Sequence, residues 1–340
     1  MWILEGEAKL TGSLIAAGAS LLVSVVSAVL AARHKRETDR ELETLKDRLQ
    51  SAAKERDARR DYEYEARKRI YEECEPLLFQ ATEAAAKARD RIASLARTAA
   101  QGRLKPGEGS WLEIDPYYLR STIYYLLAPM AVFRLLRSRM TWLDLSLEPA
   151  IGTHYALLKE AAGMFTRDFE LAGCEPKLAY DPHSEPTREQ VAAAPAIYRW
   201  QGWAHGDLER SLDLLIREDG KGRLQLVSYG EFDKHFRKGD KSGKDDHALL
   251  QAWEEFFRPF HPARLPVLWR VLVAQAILYQ GLENLHRSGA EGTPRPLAAV
   301  GPDPRFDWRE PGTEASIAAS ASAQEAALAL LRTRVPALFG

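Results

Sequence analysis

The sequence predicts an all-α protein with a single N-terminal transmembrane helix, a charged helical stalk and a cytoplasmic helical-bundle domain. Three observations predict this architecture. Residues 10–32 carry no charged side chain over a length that suits a membrane span. Residues 33–69 are densely charged and contain neither Pro nor Gly, so nothing there interrupts a helix. From residue 70 onward, apolar residues recur mostly with the period of a helix.

The uncharged run at residues 10–32 is interpreted as a membrane anchor. As a helix it would reach roughly 35 Å, which exceeds a hydrocarbon core of about 30 Å. The alternative is a cleaved secretory signal, which has a positive start and an apolar core of only about 7–15 residues. Here Glu5 and Glu7 accompany a single Lys9 before the run, and the run is longer. Both facts favour an anchor that is retained.

The charges beside the run predict its orientation. Arg33, Lys35 and Arg36 follow it, whereas only Lys9 precedes it. The positive-inside rule keeps the more basic flank in the cytoplasm. We therefore expect a single-pass protein of the plasma (inner) membrane, with residues 1–9 as a short extracytoplasmic tail and the rest of the chain after the span in the cytoplasm.

Small residues recur at every fourth position of the predicted span and form a candidate packing face. Such ridges let helix backbones approach closely in a bilayer, so the pattern predicts a homo-oligomer. The alternative is that small residues are simply abundant in this segment. The residues of the packing face are Gly12, Ala16, Ser20, Ser24, Ala28 and Ala32.

Residues 33–69 are predicted to continue the span as a helical stalk. Leu42, Leu45 and Leu49 have the a/d spacing of a coiled coil. Arg56 and Arg59 occupy the next positions of that pattern, which therefore lasts about two heptads. The alternative is a lone helix surrounded by water.

Residues 70–287 are predicted to form the cytoplasmic helical domain. One helix begins at Asp115-Pro116, because Asp is a good N-cap and Pro suits the first turn. Further helices are expected at residues 149–171, 189–216 and 247–257, the second of these broken at Pro195 and Gly202. Residues 224–229 suggest a short strand, for which the sequence offers no obvious pairing partner.

The apolar residues 266–286 could be mistaken for a second span. They include Arg270, Gln275 and Gln280, and a charged residue at mid-bilayer costs at least about 2.5 kcal/mol. A buried core helix is therefore predicted. Residues 288–340 are predicted to be a Pro/Gly-rich linker followed by a C-terminal helix.

Composition excludes several functions. The formal net charge is −1, which argues against broad nucleic-acid binding, so no nucleic-acid partner is expected. The only cysteines, Cys74 and Cys174, fall on the predicted cytoplasmic side, where thiols stay reduced. No histidines are suitably spaced from them for a zinc site, and no cofactor motif is present, so neither metal nor cofactor is predicted.

One stretch offers weak catalytic candidates. In RWQGWAH, five residues separate Arg199 from His205. This spacing is similar to the Arg/His pair of helical HEPN-type ribonucleases, in which the two side chains polarise an RNA phosphate and move a proton. The alternative is a surface turn with Trp200 and Trp203 packed inward.

Three functions are compatible with the sequence. The first is a non-enzymatic scaffold or tether that holds an unknown cytoplasmic protein partner at the bilayer. The second is a self-associating membrane effector or pore. The third is a membrane-tethered HEPN-like ribonuclease. The first is preferred because the sequence lacks H-E-x-x-H, G-x-S-x-G and a G-x-G-x-x-G after a strand.

Overall fold

The computed structural model describes residues 4–140, 144–238, 244–291, 303–309, 314–336 and 339. The chain divides into two units, Met1–Glu65 and Ala66–Gly340. Helix accounts for 77% of the structure and strand for 2%, which confirms the all-α prediction.

The first element, α1, is a continuous helix at Leu4–Ala100, and Pro76 lies inside it without ending it. Nearly all the described side chains of α1 in the first unit are exposed, including Leu42, Leu45 and Leu49.

The second unit contains most of the secondary structure. Its short 3-10 turns lie at Leu145–Leu147, Met164–Thr166 and Pro304–Phe306. The α-helices after α1 are α2 Trp111–Ile114, α3 Pro116–Arg139, α4 Pro149–Gly163, α5 Asp168–Gly173, α6 Arg188–Ala193, α7 Pro195–Tyr198, α8 His205–Asp213, α9 Tyr229–Lys238, α10 Lys244–Phe257, α11 Pro266–Glu291 and α12 Glu314–Arg334.

Helix α3 begins where the sequence predicts. The Asp115 side chain accepts hydrogen bonds from the backbone N–H groups of Tyr117 and Tyr118, at 2.9 and 3.2 Å. These bonds satisfy two of the donors that a helix N-terminus leaves without partners. The apolar stripe that follows is buried, and it packs into one contiguous core with residues of α1, α4, α8, α10, α11 and α12.

Helix α11 lies at the centre of this core. Val271, Leu272, Val273 and Ala274 are all fully buried, so the helix is covered on every side. Arg270 is also buried, and its guanidinium donates hydrogen bonds to the carbonyls of Leu171, Cys174 and Pro176 at the end of α5. The prediction of a buried core helix is confirmed.

The strand predicted at 224–229 is confirmed only at Leu224–Leu226, because Tyr229 begins α9, and it has a partner that the sequence did not reveal. Strand β1, Ile216–Glu218, pairs antiparallel with β2, Leu224–Leu226, and Ile216 lies opposite Leu226. The turn between them is tied by Asp219, whose backbone N–H donates to the Arg223 carbonyl at 2.8 Å. The prediction that residues up to 216 continue a helix is wrong, because α8 ends at Asp213.

Two predicted long helices are divided into shorter ones. The expected helix at 149–171 consists of α4, a 3-10 turn and α5, and the expected helix from 189 consists of α6, α7 and α8. The loop before α8 supplies one reason, because the Trp203 N–H donates to the Phe165 carbonyl at 2.7 Å. A backbone group used for this contact between segments is not available to a continuous helix.

Among the residues that the structure describes, no helix combines the length and the apolar character needed to cross a membrane. The predicted span at 10–32 therefore gains no support from the fold. Its first part, residues 10–17, has side chains outside the described set, and these include Gly12 and Ala16 of the predicted packing face.

Candidate functional site

The structure gives Arg199 and His205 separate environments. Arg199 follows α7, and its guanidinium donates to the Glu255 carbonyl of α10 at 2.8 Å. Burial, and then the positive charge of Arg264, lower the pKa of Arg199. His205 is the exposed first residue of α8 and lines a cleft to which Arg199 does not contribute. Their assignment as a catalytic pair stays a prediction.

Between Arg199 and His205, Gln201 connects this loop to α11 through hydrogen bonds. The buried Gln201 side chain accepts hydrogen bonds from the N–H groups of Val267 and Leu268, at 2.9 and 3.2 Å, at the start of α11. It also donates to the Ala196 carbonyl at 2.7 Å. Gln201 is therefore an N-cap supplied from a distant loop.

The two tryptophans of this stretch differ in burial and in the rings that they contact. Trp203 stacks on Trp253 with the ring centroids 3.8 Å apart and the planes 13° apart. Trp200 is 47% exposed and contacts the rings of Phe169 and His183. The prediction of inward packing is therefore wrong for Trp200.

A cleft bounded by α3, α4, α8 and the 3-10 turn Met164–Thr166 is the best candidate for a binding site. It encloses about 240 Å³. One part of its lining is apolar and aromatic, formed by Phe133, Tyr155, Leu208 and Leu212. The rings of Phe133 and Tyr155 contact each other, with their centroids 5.3 Å apart. Such a wall suits the apolar part of a small ligand.

The remaining lining is charged, with a positive balance. Four basic side chains and two carboxylates line the cleft, which leaves a formal charge of +2 when His205 is neutral. We call this site the basic cleft. Its charged residues are Arg134, Arg137, Lys159, Arg167, Glu160 and Glu209.

Both carboxylates of the basic cleft already pair with arginines. Arg134 contacts Glu209 at 2.5 Å and Asp213 at 2.8 Å. Arg167 contacts Glu160 at 3.1 Å. These pairs neutralise Arg134 and Arg167 as well as the two carboxylates.

A third carboxylate stands next to the cleft and is also neutralised. Glu170 pairs with Arg167 at 3.0 Å and with Arg334 of α12 at 2.5 Å. Burial raises the pKa of Glu170, but the hydrogen bonds from Arg334 and Arg167 bring it below its usual value. Glu170 therefore stays charged, and it forms ion pairs with both arginines.

Lys159 is the basic residue of the cleft with the fewest interactions. Its side chain is exposed at the cleft on α4. Within the described part of the chain, no hydrogen bond or ion pair joins it to another residue. Arg137 adds a half-exposed guanidinium that pairs with Glu209, with 3.7 Å between Nη2 and the carboxylate.

A second, more open groove differs in its electrostatic balance. It has a volume of about 400 Å³ and lies between α1, α3 and the β-hairpin, beside the rings of Phe79, Tyr124 and Tyr125. Its two basic and two acidic side chains cancel. Arg217 pairs with Glu231 across it. The groove therefore has no net attraction for an ion.

Other reactive groups do not assemble into a site in the described residues. No cluster of three or more potential metal ligands occurs among them. Both cysteines are free thiols, and burial raises the pKa of Cys74 to about 11. Cys74 is therefore a protonated core residue at neutral pH.

Comparisons with known proteins identify no relative: no protein-family description, no curated protein and no solved structure matches this chain.

Proposed function

We propose that the protein is a membrane-anchored, non-enzymatic scaffold that presents its helical second unit at the cytoplasmic face. The observation that carries the proposal is a collar of exposed apolar side chains on α1. Successive residues of a helix point about 100° apart, so this collar surrounds the helix. The side chains are between 52% and 67% exposed: Leu21, Leu22, Val23, Val25, Val26, Val29 and Leu30.

A bilayer explains such a collar better than a protein partner does. A helix that is apolar on every side requires an apolar environment all around it, whereas one partner helix covers a single face. Burying seven aliphatic side chains is worth on the order of 10 kcal/mol. The proposed span is residues 10–32, which supply both the collar and the uncharged residues before it.

The exposed basic residues after the collar support the proposed orientation. Arg33, Lys35 and Arg36 are all exposed on α1. Placed at the cytoplasmic surface, they would contact anionic headgroups, each worth about 1 kcal/mol. This orientation puts the second unit in the cytoplasm.

Replacing two collar residues tests the anchor. We expect Val23→Arg/Val26→Arg to move the protein from alkali-washed membranes to the soluble fraction, because each mid-span Arg costs about 2.5–3.5 kcal/mol. The matched control is Leu42→Arg/Leu45→Arg, which places the same charges outside the span and should leave the protein in the membrane. A parent protein that alkali releases completely would exclude the anchor.

An exposed aromatic cluster supports a protein partner. Phe169 and Trp200 are 45% and 47% exposed, and His183 stacks on Phe169 with ring centroids 5.4 Å apart. Exposed aromatic side chains are frequent anchors of protein interfaces. The proposed partner is a cytoplasmic protein that packs on these rings.

Cross-linking of intact membranes tests this partner. We expect a defined protein to cross-link to the full-length chain, and Trp200→Ala to reduce its yield about ten-fold, as for an interface anchor. The control is Trp111→Ala, at a site remote in sequence. Equal yields from the parent and Trp200→Ala would remove the aromatic cluster from the proposal.

Self-association is a second candidate, which a shared heptad register favours. Leu42 lies two heptads after Ala28, and Leu45 lies three heptads after Ser24. Of the six small residues of the proposed span, Ser24 and Ala28 therefore share the a and d positions of the stalk leucines on one continuous helix, whereas Gly12, Ala16, Ser20 and Ala32 fall at other heptad positions. A second copy in parallel would cover the leucines together with Ser24 and Ala28. This supports a homo-oligomer formed through one face of α1.

A further inference from the structure

We propose that complementary charges on α1 align two copies of the chain in parallel and in register. The inference rests on the self-association proposed above, and it specifies the orientation and the register of the two helices. All the residues involved belong to the first unit, Met1–Glu65. They lie on one uninterrupted helix, so the heptad positions of the stalk leucines extend to all of them.

The charges beside the leucine face occupy the positions that contact a partner helix. Leu42 is at an a position and Leu45 at a d position, which fixes the e and g positions on either side. In a parallel pair, a g side chain of one helix lies beside the e side chain five residues later on the other helix. The g residues and their corresponding e residues are Glu41 with Lys46 and Glu55 with Arg60.

These four charges are available to a second helix. All four side chains are exposed on α1. Within the described part of the chain, no ion pair or side-chain hydrogen bond joins Glu41, Lys46 or Glu55 to another residue. Arg60 contacts Asp57 at 3.1 Å, but these side chains are 77% and 64% exposed. An exposed pair of this kind holds Arg60 only weakly.

The register of the two helices follows from Arg48, the g residue between the two glutamates. In register, Arg48 faces Ala53 of the other copy, and both pairs of glutamate and cation are attractive. A shift of one heptad in one direction places Arg48 against Arg60, and a shift in the other direction places it against Lys46. Like charges opposite each other disfavour both shifts, so the charges select the in-register pair.

The apolar seam of the stalk does not specify this alignment by itself. It lasts about two heptads, because Arg56 and Arg59 occupy the next a and d positions. Leucines pair with leucines in several alignments, whereas charged e and g residues determine partner choice and orientation. The charges therefore supply specificity, which reversing them measures directly.

Reversing one side of each pair at a time tests the alignment. The lysine variant is Glu41→Lys/Glu55→Lys, and the glutamate variant is Lys46→Glu/Arg60→Glu. Two differently tagged copies of the full-length chain are expressed together, and capture through one tag measures association in detergent over a dilution series. We expect each variant to bind itself about ten-fold more weakly than the parent does, because every interhelical pair changes from attraction to repulsion.

The two variants together provide the decisive comparison. In a mixed pair, every g residue again faces an e residue of opposite charge. We therefore expect the lysine variant to bind the glutamate variant about as tightly as the parent binds itself. An antiparallel or shifted pair would not restore these contacts, so neither arrangement predicts this recovery.

A matched control separates the interhelical pairs from overall charge. Asp47→Lys/Asp61→Lys reverses two exposed charges that are two heptads apart, as Glu41 and Glu55 are, but at f positions that face away from a partner. It should bind itself as the parent does.

The outcomes distinguish the register from self-association itself. Mixed binding no tighter than the self-binding of each variant, or a control as weak as the lysine variant, would overturn the proposed register. A parent that associates and is unaffected by either variant would overturn the register alone. A parent that does not associate at any concentration would overturn both the register and the proposed self-association.

Discussion

At the scale of single residues, Gly202 is the most constrained position of the loop before α8. A Cβ atom at this position would lie 2.3 Å from Cγ of Asp168, which is buried. The Asp168 carboxylate cannot withdraw easily, because it accepts a 2.6 Å hydrogen bond from the Tyr180 hydroxyl. That hydroxyl in turn accepts one from the Gln201 N–H at 2.9 Å. Burial and this bond to Asp168 raise the pKa of Tyr180, so the phenol keeps its proton.

We expect Gly202→Ala to lower the free energy of unfolding by about 1–3 kcal/mol, as overpacking of a closed site does. Urea unfolding of the full-length protein followed by circular dichroism measures the effect. Gly206→Ala is the matched control, because its Cβ would meet nothing within 4 Å and Ala favours the helix there. A Gly202→Ala protein as stable as Gly206→Ala would show that Asp168 moves aside at little cost.

At the scale of secondary-structure elements, α1 has the clearest unpaired face. We expect the full-length protein in detergent to be an oligomer that Leu45→Lys reduces to smaller species, because a charge at a d position disrupts coiled-coil packing. Mass measurement by light scattering, corrected for bound detergent, follows the change. Thr44→Lys adds the same charge one position away, outside the a/d face, and should keep the parental mass. A monomeric parent would end the case for self-association.

The elements of the second unit differ in how strongly the local sequence determines them. Helix α3 was predictable because Asp115 and Pro116 mark its start locally and its apolar stripe has one period. Strand β1 was not predictable from the sequence. Its residues form a strand because they pair with β2, and this pairing depends on contacts beyond the local sequence. The continuous helix expected at 149–171 ends early because contacts with the loop near Trp203 use backbone groups of its turn.

At the scale of the whole molecule, the second unit is organised around α11, which was predictable as a core helix from its length and apolar content. The basic cleft was not predictable, since its residues come from α3, α4, α8 and a 3-10 turn. Their proximity depends on tertiary packing that spacing in one sequence does not encode. The only local signals are Arg134 with Arg137 on α3 and Lys159 with Glu160 on α4, and such pairs are common on exposed helix faces.

The contact between Gly202 and Asp168 also has an evolutionary consequence. A lineage that keeps the buried Asp168–Tyr180 pair admits no side chain at position 202, and Gln201 beside it must still reach the start of α11. Divergent relatives should therefore retain a Gln-Gly dipeptide with an Asp 34 residues and a Tyr 22 residues before the Gly. Such a sparse signature would survive after the surface and the apolar core have changed beyond recognition, and it offers a way to recognise the fold in sequences that share little else with this one.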